Sequence, residues 1–205
     1  PNGGRAMTKL SNSMENDVVR LERLTADHKD ALLRPATEDA LWSWMPYRPS
    51  GTRLETYFDT YLAEAHEDHF VPFAVIYRAT DELVGVTAFL SISRHHRRLE
   101  IGHTWYLPSL RGTAINPSAK LLLLGRAFDW GALRVEFKTD IANTASRAAI
   151  RKLGAREEGI FRSYVRMLDG TRRDIACFSI LKDEWPSVRA RLQERLEMHA
   201  DDSKN

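Results

Sequence analysis

Apolar and polar positions alternate with period two from Arg98 to Tyr106, which predicts a strand. Strict alternation puts Leu99, Ile101, His103 and Trp105 on one face, and Glu100, Gly102, Thr104 and Tyr106 on the other. Further strands are predicted over Val18–Arg23, Phe70–Tyr77, Leu83–Ile92, Leu133–Thr139, Ile160–Leu168 and Arg173–Leu181. The last two flank Asp169-Gly170, a strong hairpin signal. Gly85 marks a bulge or close packing within its strand. Helical spacing appears over Thr25–Arg34, with Thr25 as N-cap, then over Thr37–Trp44 and Thr52–His66. Leu54, Tyr57, Phe58, Tyr61 and Leu62 form the stripe of the third of these. Later helices are predicted over Pro117–Trp130, from Asn143 to Gly154, and over Trp185–Met198, with Gly131 and Gly154 as C-terminal stops. Leu121 to Leu124 make an apolar surface wider than one stripe, so that helix is buried on more than one side. Gly125 is read as a point of close approach to the sheet.

A chain of 205 residues predicts one domain. The first 16 residues are polar and aperiodic and read as a tail, with residues 17–199 as the domain and 200–205 as a polar C-terminal tail. Hydrophobic content of 43% and charged content of 28% suit a globular protein. A formal net charge of +2 gives no global argument for nucleic acid. The single cysteine, Cys177, excludes an internal disulfide framework and supplies no metal cluster. His95 and His96 lack a third ligand at useful spacing, so no metal is expected, and the basic turn reads as a solvated loop or a guide for an acidic substrate. No apolar run reaches membrane-spanning length and no signal peptide is visible, which makes a cytoplasmic location the expectation.

The stretch after Tyr106 carries the chemistry. Pro108 ends the strand because it cannot donate to a ladder. Arg111-Gly112-Thr113-Ala114 reads as a compact polar loop, followed by Ile115, by Asn116 at the expected N-cap and by Pro117 at the first helical position. The amides from Ser118 to Lys120 would then lack intrahelical carbonyls and, with the helix dipole, form an anion site.

This loop resembles the pyrophosphate-binding signature Gln/Arg-x-x-Gly-x-Gly/Ala of the GNAT superfamily of acyl-CoA-dependent N-acyltransferases. Arg111 fits its first position, whereas Ala114 replaces the first glycine and Asn116 the last Gly/Ala. A methyl at Ala114 is tolerable where φ is negative. The block Asn143-Thr-Ala-Ser146 through Leu153-Gly154 is similar to the Asn-x-x-Ser…Lys-x-Gly helix of the ribosomal-protein N-terminal acetyltransferase (RimJ/RimL) branch. The resemblance covers roughly Val18 to Trp185. It implies an α/β (α+β) fold with a mixed, mostly antiparallel sheet flanked by helices.

The resemblance also implies a site. The strands Arg98–Tyr106 and Leu133–Asp140 would splay, and a pantetheine arm would pair with backbone near Trp105, Tyr106 and Leu107. The diphosphate of acetyl-CoA, or of another acyl-CoA, would lie on Arg111, Gly112, Thr113, Ala114, Ile115 and Asn116, with Asn143 nearby. Acylation requires a base for the ammonium, a donor for the thioester oxygen and a proton for the thiolate. Glu100 is the base expected from the pattern; its other reading is a carboxylate paired with Arg98 or another cation. Ser146 resembles the branch's serine that protonates the thiolate; its other reading is a first-turn residue bonded to backbone. Trp42, Trp44 and Tyr47 either wall the amine-acceptor site or pack helices on the sheet. The acceptor is an amine, on a protein N-terminus, a small molecule or a polyamine, and a homodimer is common in the branch. The competing reading is a non-catalytic CoA-binding sensor or interaction module on the same fold.

Overall fold

The alternating segments pair into one eight-stranded sheet in a computed structural model that describes residues 9–33, 52–66, 68–167 and 169–202. The strands are β1 (Met14–Glu15), β2 (Val19–Arg23), β3 (Phe70–Tyr77), β4 (Glu82–Ser93), β5 (Arg98–Tyr106), β6 (Arg134–Asp140), β7 (Arg156–Arg166) and β8 (Arg172–Leu181). Their spatial order is β1-β2-β3-β4-β5-β6-β8-β7. Every neighbouring pair is antiparallel except β5 and β6, which are parallel. The helices are α1 (Lys29–Leu33), α2 (Thr52–Ala63), α3 (Ile115–Trp130), α4 (Thr144–Leu153) and α5 (Trp185–Asp202). The mixed, mostly antiparallel sheet with flanking helices is the architecture the resemblance implies.

Each face of the sheet closes on its own apolar cluster. Leu21, Phe73, Phe89, Leu99, Ile101 and Val135 meet Ile115, Ala119 and Leu123 of α3, with Val188 and Leu192 of α5 in the same cluster. On the opposite face Ala74, Ile76, Val86, Ala88 and Trp105 meet Leu32 of α1 and Phe58 and Tyr61 of α2. Burial of α3 on two sides follows from its wide apolar surface: it packs on the sheet, and Phe128 stacks on Trp185 of α5 at 5.4 Å. Gly125 approaches that same Trp185, not the sheet as expected, with 3.9 Å from its built Cβ position to the indole. Gly85 is a close approach: a Cβ there would meet the Trp105 carbonyl oxygen at 2.3 Å, and the β3–β4 register shifts beside it.

Two boundaries differ from the sequence reading. The expected N-terminal tail is structural from Lys9 onward. Leu10 and Met14 are buried in the core, Met14 pairs with Leu21, and Arg126 of α3 donates to the carbonyls of Lys9 and Asn12. Asn16 makes this hairpin possible, because its Oδ1 accepts from the amides of Val18 and Val19. At the other end α5 continues through Asp202, past the expected boundary at residue 199.

Candidate functional site

The strict alternation expected for β5 breaks at His103. Val86 pairs with Trp105 and Ala88 with Gly102, so Thr87 faces both His103 and Thr104. This is a β-bulge, with His103 at a positive φ of 48°. The bulge reverses every side chain beyond it. Leu99, Ile101 and Tyr106 share the α3 face, while Trp105 turns to the α2 face. Thr104 also turns toward α3, where its hydroxyl meets Thr87 Oγ1 at 2.8 Å and Lys120 Nζ at 2.9 Å. His103 sits on the α2 side against Tyr61 and Phe70. The expected sharing of faces by His103 with Leu99, and by Glu100 with Thr104 and Tyr106, is therefore corrected by one inserted residue.

Beside the bulge the sheet divides. β5 and β6 pair only at Arg98–Arg134, Leu99–Val135 and Glu100–Glu136, yet β5 runs to Tyr106 and β6 to Asp140. Their outer edges stay bonded to β4 and β8, which leaves a wedge whose inner edges carry unused backbone groups. Leu107 does not contribute its amide, which donates to Val84 at 2.9 Å. By alternation along the strand, Tyr106 instead turns its N–H and C=O toward the wedge.

The loop at the wide end of the wedge leads directly into α3. The helix begins at Ile115, with Ala114 as N-cap, so Asn116 lies inside the first turn and is not the cap expected. The Ser118 amide already donates to the Ala114 carbonyl at 3.0 Å. The amides without an intrahelical carbonyl are thus not those of Ser118 to Lys120 but lie earlier, from Gly112 to Asn116, ahead of the helical ladder. Thr113 braces this loop through its hydroxyl, which donates to Leu110 at 2.7 Å. Gly112 has φ 81°, and a Cβ there would meet nothing within 4 Å, so its backbone is open to a ligand. Ala114 has φ −66°, and its departure from glycine carries no backbone penalty. The residues present fit a diphosphate at the loop and an extended amide arm in the wedge.

On the α2 face, Glu100 lies at the apex of the wedge as the last paired residue of β5. It is buried, and its Oε2 accepts from Lys138 Nζ at 2.6 Å. Its partner is therefore Lys138 and not Arg98. Glu136 is held by Arg134 at 2.8 Å, with Lys138 at 3.6 Å and Arg98 at 3.5 Å. These cations keep the Glu136 carboxyl below its ordinary range, against the burial that would raise it. The same face continues into a cavity of about 150 Å³ whose lining includes Arg134, Glu136, Lys138 and Glu158. Across the wedge, Asn143 caps α4, its Oδ1 accepting from the Ser146 amide at 3.0 Å. Asp140 is fixed by Arg173 at 2.8 Å and accepts from the Ala142 amide, a turn-holding role. Trp42, Trp44, Tyr47 and the predicted helix Thr37–Trp44 lie outside the described residues.

A family model described as an acetyltransferase (GNAT) domain matches residues 19–156. The chain belongs to the GNAT acetyltransferase family. It is 32% identical to a GCN5-related N-acetyltransferase from Brucella melitensis, with a TM-score of 0.82 over 91% of this chain and 86% of that one. RimJ of Mycobacterium smegmatis, solved with CoA-disulfide, is 26% identical at a TM-score of 0.74, over 86% and 88% of the two chains. The N-acetyltransferase YoaA of Bacillus subtilis is 26% identical over 82% of this chain and 96% of its own length. These likenesses are consistent with the RimJ/RimL-like branch. The chain is an acetyltransferase of a family that takes its acyl group from acetyl-CoA. Among the described residues no helix is long and apolar enough to cross a membrane, and no group of three or more His, Cys, Asp or Glu is placed to hold a metal.

One buried cation of this GNAT domain borders the wedge without any sign in the sequence. Lys120 is buried, bonded to Thr104 of β5 and 6.0 Å over the Phe137 ring of β6. It therefore contacts both arms of the wedge from the α3 side. In sequence it is one more cation in a helix's first turns, with no signal of burial. Desolvation pulls its pKa from 10.5 to about 7. An unfolded chain binds this proton up to its ordinary value, so between those limits it holds more protons than the folded one. Lys120 thus makes folding stability rise with pH from about 7 to 10.5. Lys120→Met removes the desolvated charge, and its stability gain over wild type at pH 7 should shrink toward pH 10 in urea unfolding. An equal gain at both pH values would refute the depressed pKa.

Proposed function

We propose that the chain transfers an acetyl or other short acyl group from acyl-CoA to a primary amine by direct attack in a ternary complex. The observation that carries this reading is the end of β5–β6 pairing at Glu100–Glu136 while both strands continue. That wedge offers the donor an unpaired backbone edge, and its apex places a carboxylate beside the point where the two substrates would meet. In this reading Arg111 and the amides from Gly112 to Asn116 hold the diphosphate, and Trp105 and Tyr106 border the arm. Asn143 fixes the first turn of α4, and Ser146 on that turn hydrogen-bonds the sulfur. Glu100 draws the proton from the amine, directly or through water. Acceptor recognition by Trp42, Trp44 and Tyr47 belongs to the same proposal. The negative φ of Ala114 leaves the backbone unstrained there without glycine, and Asn116 lies within the first turn of α3; both weigh against the non-catalytic module that the two missing glycines suggested.

Calorimetric titration with acetyl-CoA tests the donor site. Arg111→Ala should weaken binding by about 1.5–3 kcal/mol, the usual worth of a charge-assisted contact. A bulky residue inserted next to Gly112 should weaken it as well. Unchanged affinity in both variants would place the diphosphate elsewhere. Release of free thiol with a panel of primary amines then separates a transferase from a binding module.

A further inference from the structure

His103 is the chemistry-bearing side chain that the bulge places beyond Glu100 on the α2 face. Its ring stacks on Tyr61 of α2, centroids 5.6 Å apart and planes 28° apart, and meets Phe70 of β3 edge-on at 5.7 Å. The His103 side chain is exposed, whereas Tyr61 and Phe70 beneath it are buried, only 5% and 8% exposed, so the imidazole is the open surface of an aromatic stack rooted in the core. Among the described residues neither ring nitrogen has a hydrogen-bond partner. Glu100, by contrast, gives an oxygen to Lys138. The backbone at His103 is also in the left-handed region, which is uncommon for a side-chain-bearing residue. Such conformations persist where the surrounding structure imposes them, and bulges of this kind serve to re-aim a side chain.

We propose that His103, held from beneath by Tyr61, forms the acceptor-binding wall, with the free imidazole nitrogen accepting a hydrogen bond from a primary amine whose apolar body lies along the exposed imidazole face. The inference rests on the acyl-transfer reading and deepens it by naming the substrate class: a monoamine carried on an apolar or flat group. A polycation would need several available carboxylates. Among the described residues of this face Glu136 and Glu158 are engaged by Arg134, which leaves Glu100, bonded to Lys138, as the single carboxylate to meet the amine. The imidazole must be neutral to accept the bond. Packing against Tyr61 and Phe70 desolvates the ring from beneath and holds its pKa below the ordinary 6.5, which favours that form. The groups packed against it are the Tyr61 phenol from α2 and the Phe70 ring from β3, while Glu100 on its own strand is paired with Lys138 of β6. Acceptor binding is therefore available above the His103 pKa and is lost as pH falls through it.

The test compares wild type with His103→Asn, which tolerates the left-handed backbone, and with His103→Phe, which keeps a ring and removes the nitrogens. His103→Phe should raise the amine KM about tenfold to a hundredfold, the usual effect of losing a hydrogen bond to a charged group. Acetyl-CoA affinity and kcat at saturating amine should change little. The wild-type amine KM should climb at acid pH, and that climb should be absent from both variants. Spermidine should be a poorer acceptor than phenethylamine. Two-dimensional NMR of the wild-type imidazole, titrated with phenethylamine in the presence of CoA, reads the contact without turnover. An unmoved His103 resonance, or an amine KM and pH profile unchanged in both variants, overturns the assignment. Absence of acyl transfer to every amine, with the imidazole still shifted by amine, would count against the transferase reading and leave the binding wall standing.

Discussion

Glu100→Gln should lower turnover at least about tenfold and leave acetyl-CoA affinity nearly unchanged. General-base assistance contributes about 10²–10⁴-fold, so a complete loss would reach that range. The substitution keeps the side-chain shape and an oxygen that can still accept from Lys138, while removing the group that takes a proton. Two neighbouring carboxylates serve as controls. Glu136 is held by Arg134 and Asp140 by Arg173, so Glu136→Gln should do little to kcat. The pH profile separates chemistry from architecture. With Glu100 as base, the acid limb of kcat/KM shifts in the variant, and kcat falls together with kcat/KM. Full turnover with an unchanged profile would make Glu100 the strut that orients Lys138 at the apex of the wedge. A matching loss of thermal stability, read on the same samples, would assign the defect to the broken ion pair instead.

Phe89→Ala should destabilise the fold by about 3–5 kcal/mol, a large share of a typical domain's stability. Phe89 and Phe73 are fully buried beneath α3, with ring centroids 5.6 Å apart and planes at 89°. They lie on adjacent strands of the antiparallel β3–β4 pair, where Val71 faces Phe89 and Phe73 faces Thr87. An edge-to-face pair adds about 0.5–1.5 kcal/mol beyond its buried area. The Phe73→Ala and Phe89→Ala effects should therefore depart from additivity by that amount in the double variant. Urea unfolding measures both terms. A cost below about 1 kcal/mol for Phe89→Ala would mean that the cavity collapses, against the close packing expected of this core.

Much of the chain was legible because its signals are local. Period-two alternation placed β3 at Phe70–Tyr77 and β5 at Arg98–Tyr106. Gly131 and Gly154 close their helices at φ 103° and 96°, where a side chain would be strained. Asn143 bonds the Ser146 amide as a cap three residues away must. The loop chemistry and the Asn143–Gly154 block sufficed for the family, because short spacings preserve them. Other features depend on partners distant in the chain. A bulge is a mismatch between two strands, so alternation within β5 alone could not show that His103, Thr104, Trp105 and Tyr106 change face. The start of β7 at Arg156, ahead of the predicted Ile160, depends likewise on pairing with β8. The segment Lys9–Glu15 offers only Leu10 and Met14 to the core, and its value comes from the edge of β2 and from Arg126. Lys120 is an ordinary helical cation until α3 presses it between two diverging strands. Sequence by itself determined most of the elements, the glycine stops at Gly131 and Gly154, the Asn143 cap and the family; tertiary structure decided the start of α3, the β1 hairpin and which side chains face the wedge, because these depend on strand register, on distant partners and on the point where β5 and β6 part.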